Sequence, residues 1–408
     1  ARVLLLLATV LKSTCGLHHD GHYSRDSRRR SIVYYEDEWQ QIALRRIRSE
    51  LDFSFTSEGV HVENSPAYHI FVFKLFIGVL KDYSAQVLGG LDEQFRQLSI
   101  KALSFITHIL RPDGKLPPIG DTEQLPTSDG YLGMFGDTLE YQYFIYALTQ
   151  GRRGVVPPVL NRVYARSGYA IFRDQWPNEQ QYRNAFHLIV KVGCSSRYHH
   201  QQDEGHISLY AGGEDWLIDS GLYNYISKDP VRKYMRTRAA HNVPMISHAS
   251  YDKEFEHRLR SWKVIASSEA LSIPSLSMKL DVLPPVSHER RVDFDGESKV
   301  VEVRDQVTAV DDQLRNITLQ WHFPIDKTII IEGNQVVVTS LTGNQLRIGF
   351  RGETPDSLSV VKGQREGRVF SCISYTASQV EPSQLLRVYF KDRVGLEVIT
   401  RFTFQMVE

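Results

Sequence analysis

The spacing of apolar residues changes period near residue 155. Upstream it is helical. Trp39, Ile42, Ala43, Leu44, Ile47 and Leu51 recur at three- and four-residue steps, as one buried helix face requires. A second helix is predicted to begin after Asn64-Ser65, with Ser65 as N-cap and Pro66 in the first turn, and to run to about Lys81. A third covers Leu91 to Leu110 and ends at Arg111-Pro112-Asp113-Gly114; a fourth covers Thr138 to Leu148 and is closed by Gly151. Beyond Pro157-Pro158 the period falls to two. Strands are predicted at Tyr164–Phe172, Ala185–Val192, Trp216–Ile218, Lys299–Arg304, Thr328–Ile331, Gln335–Thr339 and Leu386–Phe390. Many short strands without helices between them mean antiparallel sheets. The expected class is α+β, with a helical domain over residues 1–155 and a large antiparallel β-sandwich over 156–408.

Composition narrows the field without choosing within it. The chain has 408 residues and is 42% hydrophobic and 24% charged, so a packed globular core is expected. Lys+Arg and Asp+Glu both total 48, which argues against a general nucleic-acid binder yet allows local basic patches for an anionic ligand. Three scattered cysteines, Cys15, Cys194 and Cys372, form no disulfide framework and no thiolate zinc motif. The opening run Val3 to Ala8 is too short to span a membrane and reads as the tail of a buried helix, with a degraded signal peptide as the other reading. No other stretch is expected to cross a membrane. Ser27-Arg28-Arg29-Arg30 reads as a solvated loop.

Candidate chemistry concentrates in three segments. Tyr198-His199-His200-Gln201-Gln202-Asp203-Glu204-Gly205-His206 crowds titratable and coordinating groups together. Trp216-Leu217-Ile218-Asp219-Ser220-Gly221 ends a strand at a turn, and Arg236-Thr237-Arg238-Ala239-Ala240-His241-Asn242 follows. These ordered segments, with Glu58 to His69 around Tyr68, Lys115 to Asp121 and Ser167 to Arg173, resemble the heparinase II/III-like lyases. The His-x-Gln-x-Asp-x-Gly arrangement at 199–205 is most similar to the heparin-sulfate lyase (heparinase III) branch.

The resemblance implies an (α/α) toroid joined to antiparallel sheets, of which this helical part supplies only the last few helices. It implies eliminative cleavage of a uronate-containing acidic polysaccharide, a heparan sulfate-like glycosaminoglycan or an alginate-like polymer, in the periplasm or outside the cell. Tyr68 and His199 take the proton-transfer roles. A free phenol has a pKa of about 10, and a place in the first turn of a helix favours its ionised form. An unperturbed imidazole, at about 6.5, exchanges protons near neutrality. His18 or His19, in Gly16-Leu17-His18-His19-Asp20-Gly21-His22, matches the position of the group that neutralises the uronate carboxylate. Gln201, Asp219 and His241 match a metal site, an O/N donor set suited to zinc, manganese or calcium in a structural role. Asn64, Tyr198, Arg236 and Arg238 are candidate substrate contacts. Two other readings stand beside the lyase: a catalytically impaired carbohydrate-binding remnant, and a metal-dependent glycan hydrolase.

Overall fold

The computed structural model describes residues 27–124, 126–127, 133, 138–252, 254–269 and 273–407, and the side chains from 37 onward. The apolar run at 3–8 and the histidines His18 and His19 lie outside the described residues. The helical layer comprises α1 (Ser27–Ser54), α2 (Pro66–Asp82), α3 (Ala85–Leu88), α4 (Leu91–Ile109) and α5 (Leu139–Leu148). The 27–30 segment, expected as a loop, is the first turn of α1. Two other helix starts follow the caps the sequence marks. Ser65 accepts the backbone N–H of Tyr68 with Pro66 at the start of α2, and Thr138 accepts that of Tyr141 at the start of α5. In α4, Asp92 and Glu93 lie in the first turn and His108 in the last, as the helix dipole favours. Among the described residues no helix is long and apolar enough to cross a membrane.

A five-stranded antiparallel meander follows: β1 (Arg162–Tyr164), β2 (Tyr169–Arg173), β3 (His187–Lys191), β4 (His206–Ala211) and β5 (Glu214–Leu217). The 164–172 run is therefore not one strand. It turns at Arg166 to Gly168, where Gly168 has φ +77° and an added Cβ would lie 2.3 Å from the Gly193 carbonyl oxygen. Strands β2 and β3 are buried along their whole length because both faces of the sheet are covered. Tyr169, Ile171 and Ile189 join the helical core with Phe73, Phe105 and Phe144, while Ala170, Phe172, Leu188 and Val190 join the sandwich core with Trp321 and Phe402. The helical core thus draws on residues beyond 155.

The remaining strands are β6 (Met245–Ile246), β7 (Trp262–Ser268), β8 (Ser275–Leu283), β9 (Val286–Asp295), β10 (Val300–Ala309), β11 (Arg315–Phe323), β12 (Thr328–Glu332), β13 (Gln335–Thr339), β14 (Gln345–Gly352), β15 (Ser357–Lys362), β16 (Cys372–Ile373), β17 (Glu381–Pro382), β18 (Gln384–Arg393) and β19 (Leu396–Gln405). They form an eight-stranded sheet ordered β12-β13-β14-β19-β10-β9-β8-β7, a four-stranded sheet ordered β15-β18-β11-β6, and a β16-β17 pair. In β9 and β19 buried residues alternate with more exposed ones, as a strand with one face on the core requires. The 192–205 loop between β3 and β4 runs where helical layer and sheets meet, and the candidate chemistry gathers around it.

Candidate active site

Tyr68 projects from the first turn of α2 and His199 from the 192–205 loop. Their rings stack, with centroids 3.8 Å apart and planes 22° from parallel. A phenol from the helical half and an imidazole from the sheet half therefore share one locus, as the resemblance implies. The Tyr68 hydroxyl lies 3.1 Å from that of Tyr225, whose ring meets His199 edge-on.

Asn64 holds the two halves in register. Its Oδ1 accepts the N–H of Ser195 at 2.9 Å, and its Nδ2 donates to the carbonyls of Ser196 at 2.7 Å and Tyr198 at 2.9 Å. That corrects its expected role as a substrate contact: the side chain is buried and every polar atom is spent on the loop backbone. Asn64 and His199 both have positive φ, 56° and 50°. Asn and His both visit this region more readily than most residues, and surrounding contacts hold each there.

Asp121 orients His199. Its Oδ2 lies 2.9 Å from Nδ1 of His199 and accepts Nη2 of Arg232 at 2.7 Å; its Oδ1 accepts Nη1 of Arg232 at 2.8 Å and Nε2 of Gln201 at 3.2 Å. Burial alone would raise the Asp121 pKa, but hydrogen bonds from His199 and Arg232 outweigh it and hold the carboxyl below its ordinary value. With Nδ1 engaged, Nε2 of His199 is the nitrogen left for proton transfer, and Oε2 of Glu63 stands 3.3 Å from it. Gly120 permits the approach: at φ +58°, an added Cβ would fall 2.4 Å from the Asn64 carbonyl oxygen and 3.3 Å from that of His199.

Asp121, Arg232, Tyr225 and Glu63 received no role from the sequence. Glu63 and Asp121 stand inside the quoted segments Glu58 to His69 and Lys115 to Asp121, and Arg232 lies four residues before the segment that opens at Arg236. A buried acid and a buried arginine 111 positions apart become a pair only in the fold.

Tyr198 is exposed, with the Arg197 guanidinium 5.4 Å from its ring centroid. Arg236 is exposed and donates to the His200 carbonyl. Arg238, expected as a substrate contact, is instead buried at 3% exposure, with Nη1 3.5 Å from Oε2 of Glu204. An interior guanidinium cannot meet a polymer, so that expectation is corrected.

The expected metal residues are buried together near the Asp219–Gly221 turn. Gln201 donates to the Gly221 carbonyl, and Asp219 Oδ1 accepts the Gly221 N–H. Nδ1 of His241 lies 3.2 Å from Oδ2 of Asp219. Two atoms here have no hydrogen-bond partner, Oε1 of Gln201 and Nε2 of His241. Buried acceptors left unsatisfied in a native interior call for a ligand or water, and an amide oxygen, an imidazole nitrogen and a carboxylate suit a divalent cation. Burial would raise Asp219, but His206 and His241 outweigh it and hold it at about 2, so the carboxylate is charged. His206 also lies within ligand distance of Asp219 and His241. Its Nδ1, however, accepts the Asn242 N–H at 3.0 Å, so in the neutral ring Nε2 carries the proton, 3.2 Å from Asp219. The hydrogen-bond partner of that nitrogen is the Ser208 hydroxyl at 2.8 Å, so His206 offers the group no free lone pair.

Two family models match. "Heparinase II/III N-terminus" covers residues 35–143, and "Heparinase II/III-like, C-terminal" covers 158–401, more than half of the chain. A heparin-sulfate lyase of Bacteroides stercoris is 24% identical over 299 residues, 70% of this chain and 42% of that protein. One of Pedobacter heparinus is 22% identical over 340 residues, 80% and 49% respectively. The chain spans less than half the length of either relative. A crystal structure of heparan sulfate lyase from Pedobacter heparinus matches with a TM-score of 0.76 at 18% identity, over 98% of this chain and 62% of that one. A structure of heparinase III gives 0.74 at 18% identity over 90% and 58%. At such identities the likeness establishes the shared fold, helices of an (α/α) toroid followed by antiparallel β-sandwich sheets. By sequence models and by fold, the chain belongs to the heparinase II/III-like family.

Proposed function

We propose that this chain is a polysaccharide lyase that cleaves a uronate-containing acidic polysaccharide by β-elimination. The observation that carries the reading is the Tyr68–His199 stack across the junction of helices and sheets. Elimination needs a group to take the proton from C5 of the uronate and another to protonate the departing O4. The C5–H pair becomes the C4–C5 double bond as the C4–O bond breaks. His199 offers Nε2, since Asp121 occupies Nδ1. Tyr68 offers its hydroxyl, which shares a hydrogen bond with Tyr225 and can pass a proton along it. The C5 configuration of the uronate decides which group takes and which gives. His18 or His19, at the family's neutralising position, would lower the charge on the uronate carboxylate and make the C5 proton acidic.

Gln201, Asp219 and His241 would hold a divalent cation, zinc, manganese or calcium, whose positive charge would brace the loop carrying His199. The heparin-sulfate lyases among the relatives support a heparan sulfate-like glycosaminoglycan as first substrate, with alginate-like polymers next. A polymeric acidic substrate, which cannot cross a membrane unaided, supports a periplasmic or extracellular location.

The test is a screen of acidic polysaccharides read by the ultraviolet absorbance of unsaturated uronate ends. The reading predicts such ends with the wild type and their loss in Tyr68→Phe at unchanged melting temperature. Saturated products that vanish on chelation would favour the hydrolase. Retention on immobilised polymer without any product would favour the binding remnant.

A further inference from the structure

A second group of coordinating side chains lies on the same loop, apart from Tyr68 and from the Asp219 turn. One ligand atom each from Cys194, His200 and Glu204 lie within 4.8 Å of one another, and all three residues are buried. Cys194 stands near the start of the 192–205 loop, His200 next to His199, and Glu204 just before β4. Nε2 of His200 is 2.9 Å from Oε1 of Glu204, and the Tyr251 hydroxyl is 2.6 Å from the same oxygen and 3.3 Å from the His200 nitrogen. The other Glu204 oxygen is buried without a hydrogen-bond partner, 3.5 Å from Arg238 Nη1. The Cys194 backbone is pinned: its carbonyl accepts the Trp262 indole N–H at 3.2 Å, and the preceding Gly193 packs so closely on that ring that an added Cβ would fall 1.9 Å from it.

We propose that Cys194, His200 and Glu204 form a zinc site that ties together the two ends of the loop carrying His199. Thiolate, imidazole and carboxylate are the three ligand types zinc takes from proteins, and a thiolate discriminates against calcium and magnesium. Zinc bonds of about 2.0 to 2.3 Å put tetrahedral ligand atoms about 3.4 to 3.8 Å apart. A group already within 4.8 Å closes on the ion by small side-chain movements. The Tyr251 hydroxyl is a further oxygen at the cluster. Charge balances as well. Zinc brings two positive charges and displaces two protons, one from the thiol and one from between His200 and Glu204. The net charge beside buried Lys191 and Arg238 is therefore unchanged. Thiol, imidazole and carboxylate are also the makings of a nucleophilic triad, but Cys194 is 1% exposed and out of reach of a polymer. Zinc binding by these three side chains is independent of the reaction at Tyr68 and His199.

The test uses the full chain, purified, depleted of metal and reloaded with zinc or cobalt(II). Wild type is expected to show a thiolate-to-cobalt charge-transfer band in the near ultraviolet. Cys194→Ser should lose the band and one equivalent of bound zinc. Asp219→Asn should keep the band, since its carboxylate belongs to the other site, which has no thiol. Absence of the band in wild type overturns the proposal, whatever the fate of the variants. So does full zinc content with an unchanged cobalt spectrum in Cys194→Ser. Glu204→Gln, which keeps the side-chain shape, should weaken zinc binding by at least about 10-fold; unchanged affinity removes Glu204 from the ligand set.

Discussion

Asp121→Asn tests whether one buried carboxylate organises the site. Asp121 is 3% exposed and takes four hydrogen bonds, two from Arg232 and one each from His199 and Gln201. An amide offers one acceptor oxygen and turns its NH2 group against a cation. Leaving one member of a buried ion pair uncompensated costs about 3–5 kcal/mol. At roughly 1–2 °C per kcal/mol for a chain of this length, the melting temperature should fall by roughly 3–10 °C. Arg232→Met should cost a similar amount. The double variant should be less destabilised than the sum of the two by about 0.5–3 kcal/mol, because the second change removes the stranded charge. The Asp121 pKa is lower in the folded than in the unfolded chain, where it is about 3.9. Its stabilisation is therefore full above that value and is lost as pH falls through the folded pKa. The gap between wild type and variant should be widest near neutrality and should close in acid. Turnover should fall about 10- to 100-fold through loss of the Nδ1 anchor of His199. Calorimetry across pH with the ultraviolet assay reads all of this. An Asp121→Asn protein that melts within about 2 °C of wild type at pH 7 would refute the reasoning.

Gly120→Ala forces a Cβ to 2.4 Å from a carbonyl oxygen at φ +58°, and should cost about 1–3 kcal/mol in thermal melts; a neutral result would mean the loop shifts freely. Asn64→Ala removes three hydrogen bonds to residues 195–198, at about 1 kcal/mol each, and should speed proteolysis or amide exchange in that loop selectively. Asp305 is buried against Arg290 and His288; burial would raise it, but these partners hold it at about 2. Asp305→Asn should therefore destabilise the sandwich by about 3–5 kcal/mol near neutrality, a difference that fades as pH falls from about 4 toward 2. His241→Ala should lower the bound divalent metal measured by elemental analysis, and an unchanged content would remove it from that ligand set.

Much of this architecture was written in local pattern. Ser65-Pro66 and Thr138 mark helix starts because capping is settled within four residues. The two short strands flanking Gly168 look like one in the sequence because both faces of the sheet are covered, and continuous burial hides the turn. Tyr68 and His199 were found through the motifs around them, and their convergence needs nothing finer than the family fold. Asn64 and Arg238 differ from their sequence expectation for a common reason. A polar side chain in a motif looks alike whether it faces solvent or spends its hydrogen bonds inside, and only the packing distinguishes Asn64 on three backbone groups from Arg238 beside Glu204. The Asp121–Arg232 pair eluded the sequence because its partners come from segments on opposite sides of β1 to β5 in the chain.

Whether Tyr68 and His199 work on one substrate as a unit is measured by kcat/KM of Tyr68→Phe, His199→Ala and the double variant on a uronate polymer. Groups that share one elimination step give non-additive losses, so the double variant should be about as slow as the worse single one. A single variant that produces unsaturated ends at the wild-type rate, or losses that multiply in full, would contradict the shared role.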